Sequence, residues 1–258
     1  MENPGDLGAM PQYGFEHISM LITAVVLAIL VVPIARRFNF APAFGWVLLI
    51  ATLLWNLWNF MPGYYTLDQS WPFHFSDALR IIAAIALINR ARWAVSVTIL
   101  WGTTINLMSL LTPDVQYLQI PWLEFVMYWF MHISVFLAAM ILIFAFGEKP
   151  GLSGVVMSVA LAISWGIMCL IVNAFLGTNY GYLSTEPESA SILDLLGGWP
   201  FYIVAEVLLL CAVWALWSYL IDKLPNTYRP AYRPKTRKVA AQPPSTSRNA
   251  GMNSSGFG

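Results

Sequence analysis

Charge is what this chain has least of. Only 10% of its 258 residues are Asp, Glu, Lys or Arg, while 59% are hydrophobic. A soluble domain of that size usually carries about a quarter charged residues. The shortage excludes a water-facing surface for most of the chain and makes lipid its main solvent. Histidine is nearly as scarce, with only His17, His74 and His132. They show no metal-ligand spacing, so neither a metal nor any other cofactor is expected. The two cysteines, Cys169 and Cys211, sit in apolar runs without a pairing pattern and read as buried, inert thiols. No apolar run contains a lysine, which excludes a retinal Schiff base. HExxH, P-loop and GxSxG patterns are absent. Residues 1–16 hold no Lys or Arg, so no cleavable signal peptide is expected.

Seven long apolar segments are present. They run from Ile18 to Ala35, Pro42 to Met61, Phe75 to Asn89, Trp93 to Leu111, Trp122 to Phe146, Leu152 to Leu176 and Trp199 to Ile221. Most reach the ~20 residues that cross a ~30 Å hydrocarbon core. Backbone groups in lipid must be paired within the segment, so each is predicted to be a helix. The expected fold is all-α, a polytopic membrane bundle of seven transmembrane helices spanning 18–222. It follows a short N-terminus (1–17) and precedes a basic, Pro- and Ser-rich tail (223–258) expected to be disordered. Ser191 to Gly197 is a candidate short surface helix.

Arg36 and Arg37, Arg90 and Arg92, Lys149, and then Lys223, Arg229, Arg233, Lys235, Arg237, Lys238 and Arg248 account for twelve of the 13 Lys and Arg. All twelve fall on alternate sides of a seven-helix chain. The positive-inside rule then places the N-terminus outside and the C-terminus in the cytoplasm, in a plasma-membrane, multi-pass arrangement. The thirteenth cation, Arg80, lies inside the third segment.

Polar groups inside the segments collect in their outer halves. His17, Asn56, Asn59, Asn106, His132, Asn173 and Glu206 all lie there, together with the His74 loop. Such groups are costly in lipid and usually face a bundle interior. Glu124, Tyr128 and His132 are spaced four apart and share a helix face. Trp71-Pro72-Phe73-His74-Phe75-Ser76-Asp77 puts a histidine, a hydroxyl and a carboxylate within four residues, and the other helices are expected to surround it. The third segment spans only ~22 Å, so Ser76 is expected to begin below the outer surface.

Each of these residues has a plain structural reading beside a chemical one. Ser76 is either a nucleophile activated by a histidine or a helix N-cap. Asp77 and Arg80 are either an ion pair alone or a grip on a lipid headgroup. His132 is either a general base or an interhelical hydrogen bonder. Asn106 and Asn173 read as interhelical glue, and His17 as interfacial.

Thr112-Pro113-Asp114, His132, the run Leu176-Gly177-Thr178-Asn179-Tyr180-Gly181-Tyr182-Leu183 and the run Ser191-Ile192-Leu193-Asp194-Leu195-Leu196-Gly197-Gly198-Trp199-Pro200-Phe201-Tyr202-Ile203 resemble the YwaF-like family of bacterial integral membrane proteins. That family is similar to a eukaryotic transmembrane family that transfers acyl chains between phospholipids. More remotely it resembles androgen-induced membrane hydrolases of fatty-acid esters. The resemblance implies a membrane-embedded nucleophile at Ser76 and a partner histidine at His132. Family members usually carry cysteine where this chain has Ser76, so an ester would replace a thioester intermediate.

The expected function is acyl transfer or ester hydrolysis within the bilayer, with Ser76 and His132 catalytic. His74, Asp77, Arg80, Tyr128, Asn173, Asn179 and Glu206 are the expected substrate-binding residues. Among them, His74, Asn173 and Asn179 are candidate oxyanion donors. The expected partners are membrane lipids, with no nucleic acid. The alternative is a non-catalytic lipid-binding or transport component working with envelope-assembly proteins.

Overall fold

A computed structural model describes residues 8, 10–115, 117–186 and 195–225. The tail from 226 onward, and residues 191–194 of the candidate surface helix, lie outside the described residues. The described chain is helical, with no strand among the described residues. In order it forms α1 (Phe15–Arg37), α2 (Ala41–Trp58), α3 (Phe75–Asn89), α4 (Arg92–Gly102), α5 (Ile105–Leu111), α6 (Pro121–Met140), α7 (Gly151–Leu176) and α8 (Phe201–Asp222). A π-helical turn, Ile141–Ala145, extends α6. Counting α4 and α5 as one broken rod, six helical rods are long and apolar enough to cross a membrane. The seventh, α3, has 15 residues.

The short helix is the centre of the bundle. α3 packs against α2, α4 and α6. Nine of its 15 residues are buried, among them Ala78, Ala83, Ala84 and Ala86. Alanine on several faces lets neighbouring backbones approach closely, which is how helices associate in lipid. On the α2 side the approach is tightest at Gly45, where an added Cβ would lie 2.9 Å from the Ala84 carbonyl oxygen and 2.8 Å from Ile88 Cγ1. α1 packs on α6, and α7 packs on α4 and α8. These outer helices are strongly apolar and have few buried residues, as helices turned mainly toward lipid should.

The fourth apolar segment was expected to be continuous, yet it breaks at Thr103 and Thr104, where the backbone leaves helical angles. The amide of Thr104 turns to the Trp101 carbonyl, which deprives the Leu100 carbonyl of its regular partner. The Thr104 hydroxyl donates to that carbonyl instead, and the Thr103 hydroxyl donates to the Ile99 carbonyl at 2.6 Å. Both hydroxyls also accept indole N–H groups from α8. Trp214 reaches Thr104 and Trp217 reaches Thr103, each at 2.9 Å. Threonine hydroxyls that bond back to i−4 carbonyls commonly bend helices in this way.

One end of the bundle is tied by cations. Arg36 donates to the Phe144 carbonyl at the π-helical turn, with its closer contact at 2.8 Å. Arg90 lies over the Phe146 ring at 3.5 Å and near Glu148 at 3.8 Å. Lys149 Nζ donates to the carbonyls of Asp222 and Leu224. At Glu148, burial raises the carboxyl above its usual range, and the neighbouring Arg90 and Arg92 oppose that rise.

Candidate functional site

The opposite end holds a cavity of about 530 Å³, a size typical of a small-molecule or lipid-group site. Its walls come from α2, α3, the α4–α5 break with α5 beyond it, α6 and α8, and from loops.

The wall at α3 follows from how that helix starts. His74 occupies the N-cap position and Ser76 lies two residues on. Asp77, at the third helical position, accepts the His74 backbone N–H at 3.0 Å, so its carboxylate closes the helix start. Ser76 is therefore not the cap. It is half-buried, lines the cavity, and its hydroxyl has no hydrogen-bond partner among the described residues. Asp77 also pairs with Arg80 one turn on. Both are buried, and the Arg80 Nε has no partner among the described residues while the residue lines the cavity. His74 lies against Tyr180 and Tyr182, and its Nε2 is 3.2 Å from the Asp68 carbonyl oxygen. Burial lowers its pKa below the ordinary histidine range, the Asp68 contact opposes this, and Arg80 adds to the lowering.

The facing wall is α6. Glu124, Tyr128 and His132 all line the cavity, as their spacing predicts. Glu124 serves as a cap, accepting the backbone N–H groups of Leu118, Gln119 and Ile120 at 2.8 to 3.3 Å. The Tyr128 ring lies 4.4 Å from the His132 ring, and its hydroxyl donates to the Ser109 carbonyl at 2.7 Å. His132 is buried, and its Nδ1 is 2.8 Å from Asn106 Oδ1. The Asn106 Nδ2 in turn donates to the His132 carbonyl at 3.0 Å.

α8 contributes Glu206, which has no hydrogen bond or ion pair among the described residues, and the apolar Leu209, Leu210 and Val213. The loop after α7 contributes Gly181 and Tyr182. Gly181 has φ +68° and sits so close to Phe75 that a Cβ would be 3.1 Å from its ring. Tyr182 donates to Asp114 Oδ2 at 2.8 Å. Burial, reinforced by that carboxylate, raises the pKa of the phenol.

The structure thus gathers Ser76, His132, His74, Asp77, Arg80, Tyr128 and Glu206 around one space. No hydrogen bond joins Ser76 to a histidine among the described residues. Asn173 and Asn179 stand elsewhere. The buried Asn173 amide is spent on the loop after α7, donating to the Tyr180 carbonyl and accepting from Tyr180 N and the Thr178 hydroxyl. Asn179 holds the 184–185 turn. His17, expected at the interface, is fully buried, hydrogen-bonded to Tyr13 N and the Leu110 carbonyl, and apart from the cavity. Residues the sequence reading did not assign to the site include Thr103, Thr104, Tyr64 and the Tyr182–Asp114 pair. The adjacent threonines in an otherwise apolar run were the available signal for the break.

Comparison with curated proteins and with solved structures returned no match to this chain. A family profile does match, over residues 12–218, which takes in every helix described above from α1 into α8. The chain belongs to the TMEM164 family, a family of membrane proteins.

Proposed function

We propose that this protein transfers or hydrolyses acyl chains within the bilayer. The observation that carries the reading is that Ser76 and His132, from different helices, line one cavity with the buried Arg80. Ser76 Oγ attacks the acyl carbonyl, and His132 takes its proton. The Arg80 guanidinium, which lines the cavity, is the cation for the developing oxyanion or for a headgroup oxygen. Asn173 and Asn179 leave this role, because their amides are already engaged away from the cavity. The likeness to the bacterial YwaF-like group and the acyl-transfer chemistry it implies belong to this proposal. So do the outward placement of the cavity, the cytoplasmic placement of the basic end, and location in the plasma membrane.

Purified protein in lipid nanodiscs, given phospholipid with a labelled acyl chain, tests it. Wild type should release or transfer label. Ser76→Ala and His132→Ala should each lose at least about 100-fold in rate, the usual scale of general-base and nucleophile losses. Full activity in both variants would end the assignment. Ser76→Cys, which installs the residue common among the resembled proteins, should retain activity and shift the trapped intermediate from ester to thioester.

One observation favours a non-catalytic alternative, a lipid-binding or transport component. The α4–α5 break lies on the cavity wall, and discontinuous helices commonly form substrate sites in transporters. A serine-directed lipid-like probe separates the two, because a binder forms no adduct at Ser76.

A further inference from the structure

We infer that Asn106 is a positioning residue that presents His132 to the cavity as a base at Nε2. The inference rests on the proposed role of His132 as the proton acceptor from Ser76. The amide of Asn106 makes two contacts with the same residue, and they fix its orientation. A backbone carbonyl only accepts, so the group on the His132 carbonyl, 3.0 Å away, must be the Asn106 NH₂. The other end, facing His132 Nδ1 at 2.8 Å, is therefore the amide oxygen, which also only accepts. The proton between them must sit on Nδ1. A neutral imidazole carries one ring proton, so the lone pair is left on Nε2. Turning the amide over would set two oxygens against each other at the His132 carbonyl.

The other two histidines show the opposite arrangement. His17 Nδ1 accepts the Tyr13 N–H at 2.8 Å, and its Nε2 meets the Leu110 carbonyl at 2.9 Å, so its proton is on Nε2. His74 Nε2 meets the Asp68 carbonyl and must likewise donate. Only His132 is held with its proton on Nδ1.

The backbone break explains how Asn106 reaches this place. Asn106 is the second residue of α5, just past Thr103 and Thr104, and α5 packs on α6. Tyr128 holds the imidazole from the side, its own hydroxyl anchored on Ser109 of the same short helix. The ionisable groups that share the cavity with His132 are Asp77 and Arg80 from α3, Glu124 and Tyr128 from α6, Glu206 from α8, and Tyr64, His74, Asp114 and Tyr182 from the loops. Asn106 orients the ring without adding another charge.

In the proposed step the Ser76 Oγ–H proton passes to Nε2 as the Oγ–C bond forms at the acyl carbonyl. The imidazolium keeps its Nδ1 proton on Asn106. When the original ester C–O bond breaks, the Nε2 proton passes to the leaving oxygen. Water or an acceptor hydroxyl then repeats the sequence in reverse.

The test is the ¹⁵N spectrum of protein labelled at histidine in nanodiscs at neutral pH, with His132→Gln to assign the signal. Wild type should show two histidines protonated at Nε2 and one, His132, at Nδ1. Asn106→Ala should lose the Nδ1 preference at His132 while His17 and His74 are unchanged. In the labelled-phospholipid assay it should lower kcat by at least about tenfold, with KM within about twofold. Asn106→Gln keeps an amide oxygen for Nδ1 and an NH₂ for the His132 carbonyl and should return part of the Nδ1-protonated form, which separates lost orientation from lost folding. His132 protonated at Nε2 in wild type, or an unchanged tautomer in Asn106→Ala, would overturn the inference. Absence of acyl chemistry in wild type, with the tautomer pattern as stated, would remove the catalytic reading and leave the orientation of His132 standing.

Discussion

Single residues at the rim set how the protein responds to acid and to crowding. Burial holds His74 neutral, with its pKa below the value near 6.5 of an exposed histidine. The unfolded chain therefore binds more protons than the folded one as pH falls below that value. The contribution of neutral His74 is fully present above the unfolded pKa and is lost as pH falls through the folded one. Thermal unfolding in detergent should show a lower midpoint at pH 5 than at pH 7.5, and His74→Gln should flatten that difference. Gly181 offers a second reading at this scale. Its φ of +68° and its contact with Phe75 mean that alanine meets both backbone strain and a ring. Gly181→Ala should cost about 1–2 kcal/mol, measured as a shift in unfolding midpoint, and should disturb Phe75 beside Ser76. Isolated polar groups in apolar runs had drawn attention to the His74–Asp77 stretch, His132, Arg80 and Glu206, and the family resemblance then singled out Ser76 and His132. Residue identity could not separate wall from scaffold. Asn173 and Asn106 look alike in sequence, yet one closes a loop and the other touches His132, and only the partners decide.

At the level of the elements, the two close approaches of the core make distinct demands. α2 meets α3 through Gly45, where any larger side chain strikes the Ala84 carbonyl. Gly45→Val should destabilise the protein by about 1–3 kcal/mol, read as a lower melting temperature, while Gly198→Ala, in open space and without a positive φ, serves as the comparison for a glycine change. The broken rod makes the other demand. Thr104→Val removes the hydroxyl that serves the Leu100 carbonyl and receives the Trp214 indole. Leaving those groups unpaired should cost about 1–3 kcal/mol. The seven apolar runs and the shortness of α3 were legible from hydropathy, because lipid imposes length and backbone pairing on each span. The break was not, since threonine is tolerated in an apolar helix and hydropathy continues through it. The π-helical turn after α6 was hidden for the same reason, because Ile141–Ala145 is as apolar as the helix it ends.

The whole molecule has two unlike ends. One is closed by Arg36, Arg90 and Lys149 reaching across to neighbouring chain segments, and the other is opened by a polar cavity. With the proposed orientation, and with Cys169 and Cys211 replaced by alanine, a membrane-impermeant maleimide should label Asp68→Cys on intact cells. It should label Lys149→Cys only after permeabilisation, and the reverse pattern would invert the topology. The central helix also sets a condition on the chemistry. α3 has 15 residues against 18 or more in the six longer rods, and the proposed reading sets its Ser76 end below the surface that those rods reach. Under the proposed chemistry, a nucleophile recessed in this way would meet fewer water molecules than lipid hydroxyls delivered sideways through the bilayer. For an acyl group held on Ser76, that scarcity of water biases the partition toward transfer, so the length of one helix would decide whether the bilayer is remodelled or degraded.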